Sequence, residues 1–424
     1  MKRFVLVLSL TLGFLAFTDK ASFACNDEPG PATERLFSVN GYNAQRFADT
    51  ISGAFDGNVM GYAVVLRGPD GQPIAEVASG WARTDCDDDG PQRFNSQTVT
   101  PWASVSKVVT AAAILNKVER FPNTRSLDER LVDLFPERWP VGACSTPGEC
   151  WSDATIAHTL SHRAGFVRSV NTPWEERFAS GSTERPIGDR AYANESFAVF
   201  EYLGHFLAAG KMQDFEEANT TSDLSDYSLA ARTEVRRHWA PYLEREVFRP
   251  SGVSANCADA AAFGSNYSRR YSDISDRTPG VLSTPERVRT CTTGGVVMSV
   301  SDMTKFLHTL SSTDRIISNS LFREAMVRED SSRIGFDNYI DLCDRLDSLE
   351  LTDVACNGWW ALRKNGASRG EVGTEILVFS DGSVMAFARN SGWTEGTNIS
   401  QIDTLLEAWL RAKTQGAGTL TIEQ

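Results

Sequence analysis

Positive charge is in short supply in this chain. Its 42 lysines and arginines face 55 aspartates and glutamates, a net charge of -13. Binding to a phosphate backbone needs a basic face, so nucleic acid is excluded as a partner. Long apolar runs are also missing. The run from Phe4 to Phe17 is shorter than the roughly 20 residues a membrane helix needs, and no membrane span is expected. Histidine is scarce, with five among 424 residues. His158 and His162 stand four apart, but no glutamate lies between them as in a zinc-protease motif. Packing and hydrogen bonding are the better uses of both rings. The loop Asp85-Cys-Asp-Asp-Asp-Gly90 opens like a calcium loop, yet its twelfth position is Ser96 where a bidentate glutamate is required. It reads as a solvated loop. No metal or other cofactor is expected, and no internal repeat or low-complexity segment occurs.

What is present begins with an export signal. Met-Lys-Arg, the apolar run, and Ser22-Phe-Ala24 form a signal peptide over residues 1–24. The mature chain, 25–424, is then periplasmic or secreted. Cleavage after Ala24 would leave Cys25 first, but Ser22 stands where a lipoprotein signal has leucine, so a lipid anchor at Cys25 is not favoured. Eight cysteines in an exported chain suggest disulfides. Cys144 with Cys150, Cys257 with Cys291 and Cys343 with Cys356 are plausible pairs, although sequence leaves the connectivity open.

Strand signals sit at both ends of the chain. Near the start, Tyr62–Arg67 and Pro73–Ser79 flank a Gly-Pro-Asp-Gly turn. Near the end, Trp359–Lys364, Thr374–Ser380 and Ser383–Arg389 follow, the last two joined at Asp381-Gly382. Between them the signals are mostly helical. Trp239 to Gly252 reads as a helix stopped by Pro250 and Gly252. A closing helix carries Ile402, Leu405, Leu406, Trp409 and Leu410 on one stripe. The expected fold is α/β in the α+β sense. Terminal strands join in one antiparallel sheet covered by helices, with a mostly helical part inserted. The 25–424 region reads as one domain, its α/β part about 36–90 and 290–415 and its helical part about 91–289.

The stretch with chemistry in it is Thr100 to Leu115. The eight residues after Lys107 carry no charge, glycine or proline, as in a helix buried on nearly all sides. Ser104 and Lys107, three apart, share a face. A serine hydroxyl needs a neighbouring base to become a nucleophile. A lysine can be that base once desolvation lowers its pKa. Alone, such a spacing arises by accident, with the serine capping the helix and the lysine reaching out to water.

Five further stretches keep it company, in order. They are Gly61–Arg67, Thr155–Phe166, Tyr242–Gly252, Gly294-Gly-Val-Val-Met-Ser-Val-Ser-Asp-Met-Thr-Lys-Phe306, and Lys364-Asn-Gly366. With Thr100–Leu115 they resemble the motifs of the serine β-lactamase-related family, which includes class C β-lactamases, DD-peptidases and esterase relatives. The resemblance spans about residues 40 to 410. It implies an acyl-enzyme mechanism. Ser104 would be the nucleophile, Lys107 its base, and Lys364 the group that orients a substrate carboxylate. The N–H groups of Ser104 and Ala367 would form the oxyanion hole, with Asn365 and Gly366 lining the substrate cleft.

The family also has a Tyr-x-Asn motif, and here the chain reads as a departure. Tyr227-Ser-Leu229 offers the tyrosine without the asparagine; Phe215-Glu-Glu-Ala-Asn219 offers an asparagine with Glu217 in the tyrosine's place. Tyr227 is the preferred proton shuttle. With Leu229 unable to bond an amide, an esterase-like or peptidase-like hydrolase is expected rather than an efficient β-lactamase, ester-like substrates being preferred and a D-Ala-D-Ala carboxypeptidase or β-lactamase proper the alternative. Two rivals stand beside this reading. Gly366-Ala-Ser-Arg-Gly370 matches a nucleophile elbow, but a hairpin follows it and the last histidine is His308. An inactive binding protein that retains the pocket is the other.

Overall fold

In the computed structural model the described residues are 32–167, 174–207, 211–257, 264–282, 291–346, 358–368, 371–394, 396–397 and 399–413. The expected signal peptide at 1–24, Cys25 and Cys356 lie outside them. Eleven strands are described: β1 Thr33–Leu36, β2 Gly61–Arg67, β3 Pro73–Arg83, β4 Gln92–Arg93, β5 Val99–Pro101, β6 Ala255–Cys257, β7 Val296–Ser299, β8 Asn338–Asp341, β9 Trp360–Ser368, β10 Val372–Phe379 and β11 Val384–Arg389. The main sheet has the order β1-β3-β2-β11-β10-β9-β8, with β4 paired to β3. All its pairings are antiparallel. The join of the two chain ends is β2 on β11, Val64 opposite Phe387. The expected architecture is present.

Both faces of that sheet are covered. On one face, α1 (Ala44–Phe55) and the last helix (Gln401–Lys413) pack Phe47, Ile51, Leu405, Leu406 and Trp409 against Leu377, Phe379 and Phe387. Helix α2 (Ser106–Arg120) lies against the opposite face. Its residues Ser106 to Val118 are all buried, including the uncharged run Val108–Leu115, which requires it. Further along come α3 (Ile156–Leu160), α4 (Trp174–Ala179), α5 (Glu195–Ala198), α6 (Phe200–Leu203), α7 (Lys211–Ala218) and α8 (Leu224–Leu243). Helix α8 runs through a π turn, Glu244–Phe248, into α9 (Arg249–Ser251) and ends at Gly252, whose φ of 65° suits glycine. The remaining helices are α10 (Val300–Ser312), α11 (Asn319–Ala325), α12 (Cys343–Leu346) and α13, the closing helix at Gln401–Lys413.

A small sheet, β5-β7-β6, was not legible in the sequence. Its strands are three or four residues long, too short for an alternating pattern. It sets the entry to the Ser104 segment: Trp102 donates its backbone N–H to Val296 O at 2.9 Å and its indole N–H to Met298 O at 3.0 Å. Cys144–Cys150 and Cys257–Cys291 are bonded as expected, and Cys86 and Cys343 are also in disulfides. The acidic loop is not simply solvated. Asp87 is buried and accepts from Thr84 N at 2.8 Å, Gly280 N at 2.7 Å and the Tyr271 hydroxyl, while Asp89 pairs with Arg269 at 3.0 Å. Loops far apart in sequence consume these carboxylates, which local patterning cannot show.

Trp409 ties α13 to the sheet. It is fully buried, stacks on Phe379 at 4.3 Å and donates its indole N–H to Ser383 Oγ at 2.9 Å. Trp409→Ala should cost about 3–5 kcal/mol, read as a lower urea midpoint with an unchanged slope.

Candidate active site

The chain leaves β5 at Pro101 and enters a 3₁₀ turn, Ala103–Val105, that runs directly into α2. Ala103 has a φ of 44°, left-handed for a residue with a Cβ. Strain of that kind persists where the surroundings enforce it, and here it immediately precedes Ser104. The spacing of three does what the sequence suggests. Lys107 Nζ lies 3.2 Å from Ser104 Oγ. The same ammonium donates to Asn194 Oδ1 at 2.9 Å and to Thr293 O at 2.8 Å. It is fully buried. Burial pushes its pKa well below the ordinary lysine range, and the nearby Lys364 charge pushes the same way against Asp337 and Glu195.

The second face of Ser104 is occupied by Tyr192, not Tyr227. The Tyr192 hydroxyl donates to Ser104 Oγ at 2.7 Å. Burial raises this phenol to about 12, so it stays protonated at neutral pH. Tyr192-Ala193-Asn194 is thus a complete Tyr-x-Asn, and the departure expected from the sequence does not exist. Tyr227 sits on the first turn of α8, capped by Asp223. Its ring packs on Phe215 at 5.4 Å and its hydroxyl bonds Glu216. Leu229 is 59% exposed on the same helix, and Asn219 Nδ2 bonds Phe215 O within α7's own end. All these residues serve the helical region. The literal triplet at 192–194 was the available signal; it lies in a loop without periodicity, and the helical surroundings of Tyr227 favoured the wrong tyrosine.

The Tyr192 loop is held by the histidine segment. His162, at φ 59°, is buried with its ring 4.5 Å from that of Tyr192. Its Nδ1 accepts Ala193 N–H at 3.4 Å, and His162 O accepts Ala191 N–H at 2.9 Å. Burial, then the Lys364 and Lys107 charges, keep this imidazole well below its usual pKa. His158 closes a capping box with Thr155. Both histidines therefore pack and hydrogen-bond, as read.

Strand β9 supplies the opposite wall. Lys364 is fully buried, its Nζ 2.7 Å from Asp337 Oδ1 and 4.8 Å from the Tyr192 ring centre. Arg190 also reaches Asp337, donating to its backbone oxygen at 2.9 Å. Gly366 marks the closest approach. A Cβ there would stand 2.6 Å from Trp102 O and 3.0 Å from Ser104 N, so only glycine lets the strand edge come this close to Ser104. Arg363 O accepts Asp337 N–H at 2.8 Å. Antiparallel alternation then directs the N–H groups of Asn365 and Ala367 to that same edge. β8 pairs no further along β9 than Arg363. The edge beyond carries the Ala367 N–H, one residue after Gly366, at which an added Cβ would meet Ser104 N at 3.0 Å. Asn365 is exposed on this segment. Ser368 ends β9 opposite Val372 of the next strand, so among the described residues a strand stands where a nucleophile elbow needs a helix, while Arg369 and Gly370 lie outside them.

A family model described as Beta-lactamase matches residues 47–340. No curated protein matches the chain in sequence. Among solved structures, a β-lactamase/D-alanine carboxypeptidase from Pseudomonas syringae is similar with a TM-score of 0.58 and 16% identity, over 88% of this chain and 98% of that one. A class C β-lactamase from Rhodobacter sphaeroides gives 0.56 and 17%, over 87% and 97%. An octameric penicillin-binding protein homologue from Pyrococcus abyssi gives 0.52 and 16%, over 82% and 71%. At these identities the likeness is one of fold.

The two tyrosines make a direct test. Tyr192→Phe should lower turnover of an activated ester about 10²–10⁴-fold, whereas Tyr227→Phe should leave it within about twofold, both variants keeping the parent circular dichroism.

Proposed function

The chain belongs to the Beta-lactamase family, and from that premise we propose that it is an exported serine hydrolase working through an acyl-enzyme. One observation carries the reading. The Ser104 hydroxyl lies between a desolvated amine, Lys107 Nζ at 3.2 Å, and a protonated phenol, Tyr192 at 2.7 Å. Lys107, neutral at the moment of attack, takes the serine proton as Ser104 Oγ bonds the acyl carbon. The Ser104 and Ala367 N–H groups hold the oxygen that becomes anionic. Tyr192 passes a proton to the leaving group as the acyl–leaving-group bond breaks. Water then cleaves the acyl-enzyme by the reverse sequence of proton transfers. Residues 25–424 act as a single catalytic domain in this proposal. Export is supported by the Cys144–Cys150 and Cys257–Cys291 disulfides.

Uncharged, ester-like acyl donors are the preferred substrates. The support is Lys364, whose charge is already matched by Asp337 at 2.7 Å; a substrate carboxylate would have to disrupt a buried pair. Asn194 favours a second reading, D-Ala-D-Ala carboxypeptidase or β-lactamase. It is exposed at the mouth of the site, where its side-chain amide suits an amide on the acyl side. The complete Tyr192-Ala-Asn194 triplet takes away one motive for the inactive binding-protein reading, and a fold that does not guarantee function leaves the phosphonate reaction to decide between the two.

A serine-reactive phosphonate should add one adduct at Ser104 and none to Ser104→Ala, by intact-mass spectrometry. Assayed side by side, a short-chain aryl ester should outrun a chromogenic cephalosporin and a D-Ala-D-Ala peptide; faster turnover of either amide establishes the second reading. The pH profile follows from Lys107. Its base form is required and its pKa is lowered, so kcat/KM should rise on an acid limb well below the ordinary lysine range and hold at alkaline pH, where Tyr192 remains protonated. A rise only near pH about 10 would remove Lys107 as the base.

A further inference from the structure

Away from the serine, three side chains converge that the mechanism does not use. His205 lies in the turn after α6, and Glu234 and His238 stand one turn apart on α8. One ligand atom from each lies within 4.8 Å of the others. The rings of His205 and His238 are 4.1 Å apart and inclined by 11°. His238 Nε2 is 3.0 Å from Glu234 Oε1, and Arg237 holds the carboxylate's other oxygen.

The chemistry of this set is specific. Two imidazole nitrogens and one carboxylate oxygen suit borderline divalent ions such as zinc, rather than the all-oxygen shells of calcium or magnesium. Arg237 fixes the carboxylate from behind, as outer partners of metal ligands do. Tetrahedral ligation at about 2.0–2.2 Å places ligand atoms roughly 3.4 Å apart, so His238 and Glu234, already 3.0 Å apart, must part slightly while the His205 ring draws in from within 4.8 Å. His238 is exposed, which gives its ring freedom to turn and leaves the fourth position open to water.

We infer that His205, Glu234 and His238 form a binding site for a divalent first-row ion of zinc's class, distinct from the Ser104 centre. The ion takes the place of the proton shared between His238 and Glu234. Its position suggests a purpose. Glu201, four residues before His205, already pairs with Arg232 at 2.8 Å and Arg236 at 3.1 Å. The ion extends that seam by one turn and tethers the turn after α6 to α8.

The test is calorimetric titration of untagged, chelator-treated full-length protein with zinc chloride, alongside thermal melts and cobalt(II) absorption. One saturable site per chain is expected, with a melting temperature that climbs with ion concentration and cobalt bands of a tetrahedral site. His205→Ala and His238→Ala should each abolish saturable binding, and Glu234→Gln should weaken it about tenfold or more. His308→Ala, elsewhere on the surface, should bind like the parent. Because His238 is exposed, its variant should keep the parent's metal-free melting temperature, which separates lost binding from lost folding. No saturable binding by the parent, or unchanged binding by both histidine variants, overturns the site.

Discussion

Two lysine ammoniums buried in one pocket are the constraint around which the Ser104 side of the molecule is arranged. Lys107 and Lys364 are both without solvent exposure. Two such charges repel and are each costly to desolvate. The protein settles the conflict unequally. Lys364 is given a carboxylate, Asp337, and stays paired. Lys107 is given neutral acceptors, Asn194 Oδ1 and Thr293 O, and its proton becomes easy to lose. An easily deprotonated amine beside Ser104 results from that inequality, not from the lysine itself.

The surroundings follow from holding this pair. Arg190 braces Asp337 and sits two residues before Tyr192, so the segment that steadies one lysine also delivers the phenol. The Tyr192 ring lies 5.3 Å from Lys107 Nζ and 4.8 Å from Lys364 Nζ. His162 and Ala103, the two non-glycine residues with positive φ among those described, flank the same point: one holds the tyrosine loop, the other starts the serine turn. Strain at both is the kind that tight packing sustains at a functional site.

Residues with a periodic or tightly local signature could be read from the chain. The β2–β3 hairpin, the β10–β11 turn, the buried α2 and the stripe of α13 each express a rule that operates within a few residues. Ser104 with Lys107 is such a rule too, since three residues of helix bring them together. Tyr192 obeys none of these. It reaches Ser104 across 88 positions of chain through a loop whose course depends on His162. Tyr227 has the better local setting, and that setting turns out to serve only the packing around Phe215 and Glu216. The ester preference drawn from Leu229 lost its basis with that tyrosine and now depends on Asp337, a residue that no local pattern distinguishes.

Sequence alone determined the sheet's terminal strands, the buried helix after Ser104 and the serine–lysine spacing, because backbone hydrogen bonding and side-chain periodicity are short-range. Tertiary structure decided which tyrosine and asparagine complete the site, which carboxylate neutralises Lys364, and that the Asp85–Gly90 loop is knotted into the fold by Asp87 and Asp89. Those choices rest on electrostatics and close contact between segments distant in the chain. Burial sets their strength, and burial exists only once the chain has folded.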